Sequence, residues 1–408
     1  MSEVAQVPQL RFPEFNGAWE GSNIENISTL IQSGLSRLLN DSDIGIPVIR
    51  SSNISDNSLN IDDIKYWHLI DPQGANTSNY LLVENDLLIN FINSMAQIGK
   101  ACLYKNLLNR KVIFTTNLMR IQFSDNTIPE FVFYFFCTEN YRRQLKAITM
   151  PAVNQASFTK KDFNKLQVHL PPKPEQEKIA AFLTTVDNKI EQLSKKQELL
   201  KEYKKGLMQQ IFSQATRFKA DDGCDFPDWE EKNGNEIFDN ISNKNHDSDL
   251  PILAITQEHG AIPRDLINYK MIVSDKSVSS YKVVETGDFI ISLRSFQGGI
   301  EYSNYKGICS PAYIILRPAI EIEKKFYKYY LKTYRYIQDL NRKLEGIRDG
   351  KMVSYKYFSE IKLPYPSISE QAKIANFLSS IDNKIEQVGK QLRESKQFKK
   401  ALLQQMFV

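Results

Sequence analysis

The sequence has few of the residues that build metal centres, disulfide frameworks or membrane segments. Its four cysteines (Cys102, Cys137, Cys224 and Cys309) are widely separated and form no CxxC pair, and its four histidines are equally scattered. Zinc sites and disulfide frameworks need such residues in close spacing, so neither is predicted. No run of about 20 apolar residues is present, and the start, MSEVAQVPQLRF, has no basic segment followed by an apolar one. We therefore expect a cytoplasmic protein with no membrane segment.

Catalytic motifs are also missing. There is no GxxxxGK[ST] phosphate loop, because residues 346–351 have the wrong spacing, and no Asn/Asp-Pro-Pro-Tyr/Phe motif of the amino-methyltransferases. Residues 227–232 resemble a metal-nuclease signature, but its two halves are too close together to lie on adjacent strands. The glycine-rich segment 295–299 is more typical of a β-turn than of a nucleotide cradle. The sequence predicts a binding protein without a catalytic site.

Size and charge set broad limits. The 408 residues, of which 42% are hydrophobic and 25% charged, suffice for two or more domains that each bury a core. Lysine and arginine (52) slightly outnumber aspartate and glutamate (48), for a net charge of +4. This mildly basic balance is compatible with nucleic-acid binding but does not by itself indicate it.

One segment of 39 residues occurs twice, 195 positions apart, at 175–213 and 370–408, with 21 identical positions. In each copy the apolar residues alternate at four- and three-residue spacing, which is typical of a coiled-coil seam. Pro174 suits a first helical turn, and Ser367 and Glu370 have capping-box spacing. The predicted seam residues are Ile179, Leu183, Val186, Ile190 and Leu193 in the first copy and Ile374, Leu378, Ile381, Ile385 and Val388 in the second.

The length of the repeat decides how these helices pack. A helix of about 38 residues spans roughly 57 Å, which exceeds the diameter of a small domain. An apolar seam of that length does not stay exposed, so we expect the two helices to pair as an antiparallel coiled coil. The alternative, an ordinary core helix in each domain, does not account for the length.

Ahead of each helix lies a block of short β-like runs and turn signals. The blocks are weakly related: Tyr134 and Thr138 match Tyr329 and Thr333 at the same offset, and residues 46–49 resemble 250–253. The predicted fold is therefore α+β, with two globular domains separated by two long antiparallel helices and with pseudo-two-fold symmetry. The predicted segments are a first domain over 1–170, a central helix over 171–215, a second domain over 216–365 and a C-terminal helix over 366–408.

A variable domain, an EQ-x-KI-x₂-FL-x₃-DNKIEQ helix, a second variable domain and the same helix again resemble the specificity subunit of a type I restriction–modification enzyme. The resemblance covers essentially the whole chain. It implies that each domain is a target recognition domain that reads one half of a split sequence in double-stranded DNA. It also implies that the helices hold the domains apart and dock two adenine methyltransferase subunits, and that restriction (translocase) subunits join for cleavage. S-adenosylmethionine, ATP and Mg²⁺ are expected on those partners only, and this subunit is expected to be non-catalytic.

The helix length is consistent with that resemblance and leaves two alternatives. At 3.4 Å per base pair, a spacer of roughly 57 Å corresponds to at most about 17 base pairs, so the half-sites would be separated by a few unread pairs. The first alternative is a coiled-coil scaffold that joins two protein-binding domains without nucleic acid. The second is a fused enzyme, against which the missing motifs count.

Base reading needs hydrogen-bonding side chains on loops above a rigid scaffold, with Arg or Lys for guanine and Asn or Gln for adenine. Three loops per domain meet this description at corresponding positions, although a solvated loop is the simpler interpretation of any one residue. Residues 131–136 and 326–331 are aromatic runs better suited to core packing than to base stacking, and Lys324, Lys325, Lys328 and Lys332 would at most contact phosphates. The candidate DNA-binding residues are Arg50, Ser52, Asn53, Asn93, Ser94, Gln97, Lys100, Asn154 and Gln155 in the first domain and Thr256, Gln257, Arg294, Ser295, Gln297, Arg348 and Lys351 in the second.

Overall fold

A computed structural model describes residues 7–55, 57–246, 249–267, 278–342 and 353–408. The chain forms two compact units, one of Met1–Leu193 with Gln391–Val408 and the other of Ser194–Lys390. Each unit therefore holds one globular domain, the first part of the long helix that follows it and the last part of the other long helix. Among the described helices, none has the length and apolar character needed to cross a membrane.

The first domain is a set of small sheets with four short helices. Its helices are α1 (Ile24–Ile27), α2 (Pro129–Phe136), α3 (Glu139–Ile148) and α4 (Lys160–Asn164), with 3₁₀ turns at Ser51–Asn53 and Thr77–Tyr80. Its strands are β1 (Glu20–Asn23), β2 (Ser28–Ser33), β3 (Gly45–Ile49), β4 (Ile54–Ser55), β5 (Ser58–Leu59), β6 (Lys65–His68), β7 (Leu87–Asn90), β8 (Ile92–Asn93), β9 (Ala101–Leu103), β10 (Ile113–Phe114), β11 (Leu118–Phe123), β12 (Met150–Pro151), β13 (Ala156–Ser157) and β14 (Gln167–Leu170).

A four-stranded antiparallel sheet in the order β2-β11-β7-β9 forms the centre of this domain. Strand β7 is buried on both faces, as its uninterrupted apolar run Leu87–Ile89 predicts. One face packs against α2, whose residues Phe131–Phe136 are all buried. The core-packing interpretation of that aromatic run is thus confirmed. Smaller sheets β10-β3-β6, β12-β13-β8, β4-β5 and β1-β14 surround the centre.

The second domain repeats this plan. Its helices are α6 (Gly234–Ile237), α7 (Ser295–Gly298), α8 (Lys324–Tyr330), α9 (Tyr334–Arg342) and α10 (Tyr355–Ser359), with a 3₁₀ turn at Arg264–Leu266. Its strands are β15 (Glu230–Asn233), β16 (Phe238–Ile241), β17 (Leu253–Thr256), β18 (Gly260–Pro263), β19 (Lys282–Val284), β20 (Phe289–Ile291), β21 (Glu301–Tyr302), β22 (Gly307–Cys309), β23 (Ile314–Pro318) and β24 (Lys362–Tyr365). The sheet β16-β23-β20-β21 corresponds to the central sheet of the first domain, and the pair β15-β24 corresponds to β1-β14.

Two local expectations were wrong. Residues 250–253 resemble the β3 segment, yet strand β17 begins only at Leu253, so the alignment by similarity is about three residues out of register. The segment 295–299 is a helical turn and not a β-turn. Gly299 ends this turn with φ of +80°, and its N–H donates to the carbonyl of Ser295. Left-handed φ values favour glycine, so the glycine-rich composition marks a helix end.

The long helices are α5 (Lys173–Phe212, 40 residues) and α11 (Ile368–Gln405, 38 residues). In the first unit Ile179 and Leu183 of α5 share one apolar cluster with Leu402 and Met406. The start of α5 therefore packs against the end of α11, which makes the pairing antiparallel.

In the second unit the pairing is the same with the helices exchanged. Ile211, near the end of α5, shares a cluster with Ile374, Leu378 and Ile381, near the start of α11. The predicted fold class is confirmed: α+β, with two globular domains and two long antiparallel helices. Of the remaining seam residues, Val186 and Ile385 pack at the margins of the clusters, Leu193 and Val388 are buried, and Ile190 is half-buried.

Candidate nucleic-acid interface

A buried ion pair fixes each long helix to the domain that precedes it. The guanidinium of Arg11 donates two hydrogen bonds of 2.7 Å to the Glu175 carboxylate, and Arg217 binds Glu370 in the same way at 3.3 and 3.0 Å. Both glutamates are fully buried. The carboxylate partners raise the pKa values of both arginines above their usual level. The capping-box expectation is half right: the Ser367 hydroxyl accepts from the N–H of Glu370, whereas the Glu370 carboxylate binds Arg217.

The next residue of the repeat is a second anchor. The side-chain oxygen of Gln176 accepts a 2.9 Å hydrogen bond from the N–H of Ile128, just before α2. Gln371 accepts one of the same length from the N–H of Glu323, just before α8. Both glutamines are buried. The Glu-Gln pair that opens each copy of the repeat therefore holds a domain rigidly against the start of its helix, as a scaffold for base reading requires.

A third anchor joins a domain to both helices of its unit. In the first unit the Tyr134 hydroxyl lies 3.0 Å from Asp187 and 3.2 Å from Thr184 on α5. The ammonium of Lys399 on α11 lies 2.6 Å from the Asp187 carboxylate and over the Tyr134 ring. Burial, more than the neighbouring carboxylate, raises the pKa of Tyr134 well above its usual value. This phenol therefore stays a hydrogen-bond donor at all physiological pH values.

The second unit contains the same arrangement with the helices exchanged. The Tyr329 hydroxyl lies 2.7 Å from Asp382 and 3.2 Å from Ser379 on α11. Lys204 of α5 lies 2.6 Å from Asp382 and over the Tyr329 ring. Each domain is thus fixed by equivalent contacts to the start of one long helix and the end of the other.

Under the predicted loops, a buried aspartate in each central sheet fixes the backbone. Asp86 accepts a hydrogen bond from the Gln122 amide at 2.7 Å and has Arg120 at 3.7 Å. Burial raises the pKa of Asp86, and its hydrogen bonds and Arg120 oppose this shift. Asp288 instead receives two hydrogen bonds from Arg317, at 2.8 and 2.7 Å. Loops that follow β7 and β20 therefore emerge from a rigid base.

The first predicted loop of the first domain contains one structural residue and two accessible ones. Asn53 is buried: its amide donates to the carbonyls of Asn60 and Asp63, and its oxygen accepts from the N–H of Arg50. These bonds occupy the Asn53 side chain as a loop support. The Arg50 guanidinium is held by Asp63 at 2.6 Å, and Ser52 is exposed.

The second and third predicted loops of this domain are brought together by the sheet β12-β13-β8. Asn93 pairs with Ala156, which places the loop after β7 beside the hairpin that carries Asn154 and Gln155. Both hairpin side chains are exposed. In the turns after β8, Ser94 is exposed and Gln97 and Lys100 are half-buried.

In the second domain two predicted loops are also adjacent. The Gln257 side chain donates to the carbonyl of Arg294 at 3.3 Å, so the loop after β17 touches the turn after β20. Arg294 and Gln297 are exposed, whereas Ser295 is buried and its hydroxyl accepts from the N–H of Ser292. Half-buried Thr256 donates its hydroxyl to the carbonyl of Gly260. Arg348 and Lys351 lie outside the described residues.

Among the residues that the structure describes, no three His, Cys, Asp or Glu side chains lie close enough together to hold a metal ion. The exposed side chains of the paired loops are amides, hydroxyls and cations. Their chemistry suits hydrogen bonding to base edges and phosphates.

The family model for the type I restriction modification DNA specificity domain matches the chain twice, over residues 17–202 and 225–394. The chain belongs to this family. It is a type I restriction–modification specificity subunit with two target recognition domains. It is 28% identical to a putative type I restriction enzyme MjaX specificity subunit of Methanocaldococcus jannaschii, over 98% of this chain and 94% of that protein. The MjaVIII specificity subunit of the same organism is 27% identical, over 78% and 77% of the two chains.

The fold of this specificity subunit is also that of a solved relative. It matches the crystal structure of a type I restriction–modification S subunit from M. genitalium with a TM-score of 0.59 and 16% sequence identity. The match covers 98% of this chain and 99% of that one. At this identity the likeness concerns the fold alone.

Sequence reasoning missed the anchors of the specificity subunit, although the repeat contained a signal for them. Asp187 and Lys204 of the first copy are identical to Asp382 and Lys399 of the second. The two lysines interrupt the apolar seam, and in the structure they bind the two aspartates. Identity at polar positions inside an apolar seam was therefore the available evidence for a buried ion pair.

Proposed function

We propose that each domain of this specificity subunit reads one half of a bipartite target in double-stranded DNA. In this proposal the long helices set the number of unread base pairs between the halves and dock two adenine methyltransferase subunits. Restriction subunits join the same complex, and the assembly works in the cytoplasm.

The observation that carries the proposal is a repeated scaffold with different exposed side chains. The paired loops of the first domain present Asn93, Asn154 and Gln155, whereas those of the second present Arg294 and Gln297. Amide side chains suit adenine and arginine suits guanine. One backbone plan with two sets of donors is what a reader of two different half-sites needs.

The lengths of the helices support their role as a spacer. Forty residues in an α-helix span about 60 Å. In each unit the start of one helix packs against the end of the other, and the Lys399–Asp187 and Lys204–Asp382 pairs fix that register. Two helices locked in this way cannot slide, so the unread gap is constant. Insertion of one helical turn in both helices would lengthen the gap and leave the bases read unchanged.

We also propose that the chain has no catalytic site. S-adenosylmethionine, ATP and Mg²⁺ then belong to the partner subunits alone. A purified chain incubated with DNA and labelled S-adenosylmethionine should transfer no methyl group, and addition of the methyltransferase subunit should start the transfer at adenines of one bipartite site. Methyl transfer by the chain alone would contradict the proposal and favour a fused enzyme.

The competing function is a scaffold that joins two protein-binding domains without DNA. Selection from a random-sequence duplex pool, with the chain and methyltransferase subunit together, distinguishes the two. Enrichment of two short motifs at a fixed gap supports DNA reading. A pool that stays random under conditions in which the subunits assemble would leave the scaffold as the better explanation.

A further inference from the structure

A cleft of about 890 Å³ lies in the second unit, and the predictions for base reading do not include it. Its walls are the last turns of α5, over residues 201–213, and helices α8 and α9. The loop Gln257–Gly260 forms part of its rim. Because Gln257 also touches the Arg294 turn, the cleft continues the surface on which the second domain presents its donors.

Cations outnumber carboxylates in this cleft. The two innermost carboxylates, Asp382 and Glu301, are already bound by Lys204 and Lys332. The remaining cations have no ion-pair partner among the described residues, and they face the same space. These unpaired cations are Lys201, Lys205, Lys328 and Arg335.

Lys328 is the most unusual of these cations because it is half-buried. Its ammonium lies 5.6 Å from the ring centres of both Tyr302 and Tyr329. Burial lowers the pKa of Lys328; Asp382 opposes that shift, and the nearby Lys204 adds to it. A partly desolvated ammonium held over two aromatic rings is stabilised by an anion that enters the cleft.

Tyrosines provide the rest of the lining. Tyr302, Tyr329 and Tyr330 form the interior, and Tyr334 at the mouth is 69% exposed. Cations interleaved with aromatic rings are typical of surfaces that follow a nucleic-acid backbone, with ammonium groups on phosphates and rings against sugars or bases.

The charges of the cleft are a property of one unit. The positions that correspond to Lys328, Lys332 and Arg335 in the first unit are Phe133, Cys137 and Asn140. The correspondence is structural as well, since Thr138 and Thr333 make the same side-chain hydrogen bond to a carbonyl three residues earlier. A phenyl ring, a thiol and an amide cannot bind phosphate as cations do.

We propose that this cleft binds the phosphodiester backbone of the DNA next to the half-site that the second domain reads, with Lys328 and Arg335 as the phosphate ligands. This inference rests on the proposed function and adds an asymmetry to it. The second domain holds its half-site with more phosphate contacts than the first, so its grip on DNA depends more strongly on salt.

The test uses the full chain, assembled with its methyltransferase subunit, and a duplex that carries the selected target. Affinity is measured over a series of salt concentrations. Lys328→Met and Arg335→Ala should each reduce the slope of log K against log salt by about one, since each removes one phosphate contact. The loss should be equal for the target and for unrelated DNA. Lys325→Met is the matched control: this exposed lysine of the same helix lies outside the cleft, and its removal should leave the slope unchanged.

The outcomes separate the cleft from the proposed function. A wild-type complex without sequence preference would refute the proposed function and the cleft with it. A sequence-specific wild type whose two variants keep the wild-type slope would refute the cleft alone. Loss of ATP binding in Lys328→Met with an unchanged DNA slope would make the cleft a free-nucleotide site, and weaker methyltransferase docking with an unchanged slope would make it a protein surface. Because Arg335 is exposed, its variant remains informative even if Lys328→Met fails to fold.

Discussion

The ammonium of Lys399 lies 2.6 Å from the carboxylate of Asp187, so an ion pair links residues 212 positions apart and joins the end of one long helix to the start of the other. Their side chains are 21% and 32% exposed. The pair is therefore partly shielded from solvent, and the Tyr134 hydroxyl shares the same carboxylate.

Lys399→Met should destabilise the first unit by about 1 kcal/mol, because a partly shielded pair is worth more than an exposed one and Asp187 would lose its cation. A double-mutant cycle with Asp187→Asn, followed by urea denaturation, measures the coupling. Lys400→Met removes the same charge from a neighbouring exposed position and should be neutral. A coupling energy near zero would mean that the pair does not hold the helices.

The seam can be probed at two depths. Leu183 is fully buried, and Leu183→Ala should cost about 2–5 kcal/mol. Ile190→Asp would cost several kcal/mol in a closed seam, but Ile190 is half-buried, so the new carboxylate can reach water and the cost should be smaller than for Leu183→Asp. Denaturation midpoints and reconstitution with the methyltransferase measure both effects. If Ile190→Asp proves the more damaging, α5 is more deeply packed at that position than the structure indicates.

Neighbouring residues of one loop should have opposite roles. Asn53→Ala leaves two carbonyls and one N–H without their partner and should destabilise the first domain by about 1–3 kcal/mol. Ser52→Ala, on an exposed side chain, should leave the melting temperature unchanged and act, if at all, on DNA affinity. Thermal unfolding of both variants checks this. Equal melting temperatures would show that the Asn53 hydrogen bonds contribute nothing net.

Arg294→Ala should weaken binding to the selected target by about 1–3 kcal/mol if the guanidinium makes a bidentate contact with guanine. The side chain is exposed, and its turn is fixed by Gln257 and Gly299. Competition between target and single-base variants measures the loss. An equal decrease for all sequences would identify Arg294 as a phosphate ligand.

Replacement of residues 1–165 by the equivalent block of a relative should change one half of the methylated site and keep the other half and the gap. The replacement must supply an arginine at the position of Arg11, because the Glu175 that remains is fully buried and needs its cation. Mapping of methylated adenines in the host genome gives the result. Changes in both halves would contradict independent reading.

The repeat predicted the two long helices because apolar periodicity over 39 residues outweighs local ambiguity. Single side-chain roles were not predictable in the same way. Asn53 and Ser52 look alike in sequence, and only the fold of the loop makes one a buried support and the other an exposed donor. The adjacency of Gln257 and Arg294 likewise depends on a long-range contact that no local pattern encodes.

The helix pairing also sets an order for synthesis. The second unit is one continuous stretch, Ser194–Lys390, and its core can close as soon as that stretch has left the ribosome. The first unit waits for the end of translation, because Leu402, Met406 and Phe407 complete an apolar core whose other members were made more than 200 residues earlier. In this protein the domain that is made first is the last to be finished, and a frameshift near the 3′ end of the reading frame would expose the core of the N-terminal domain.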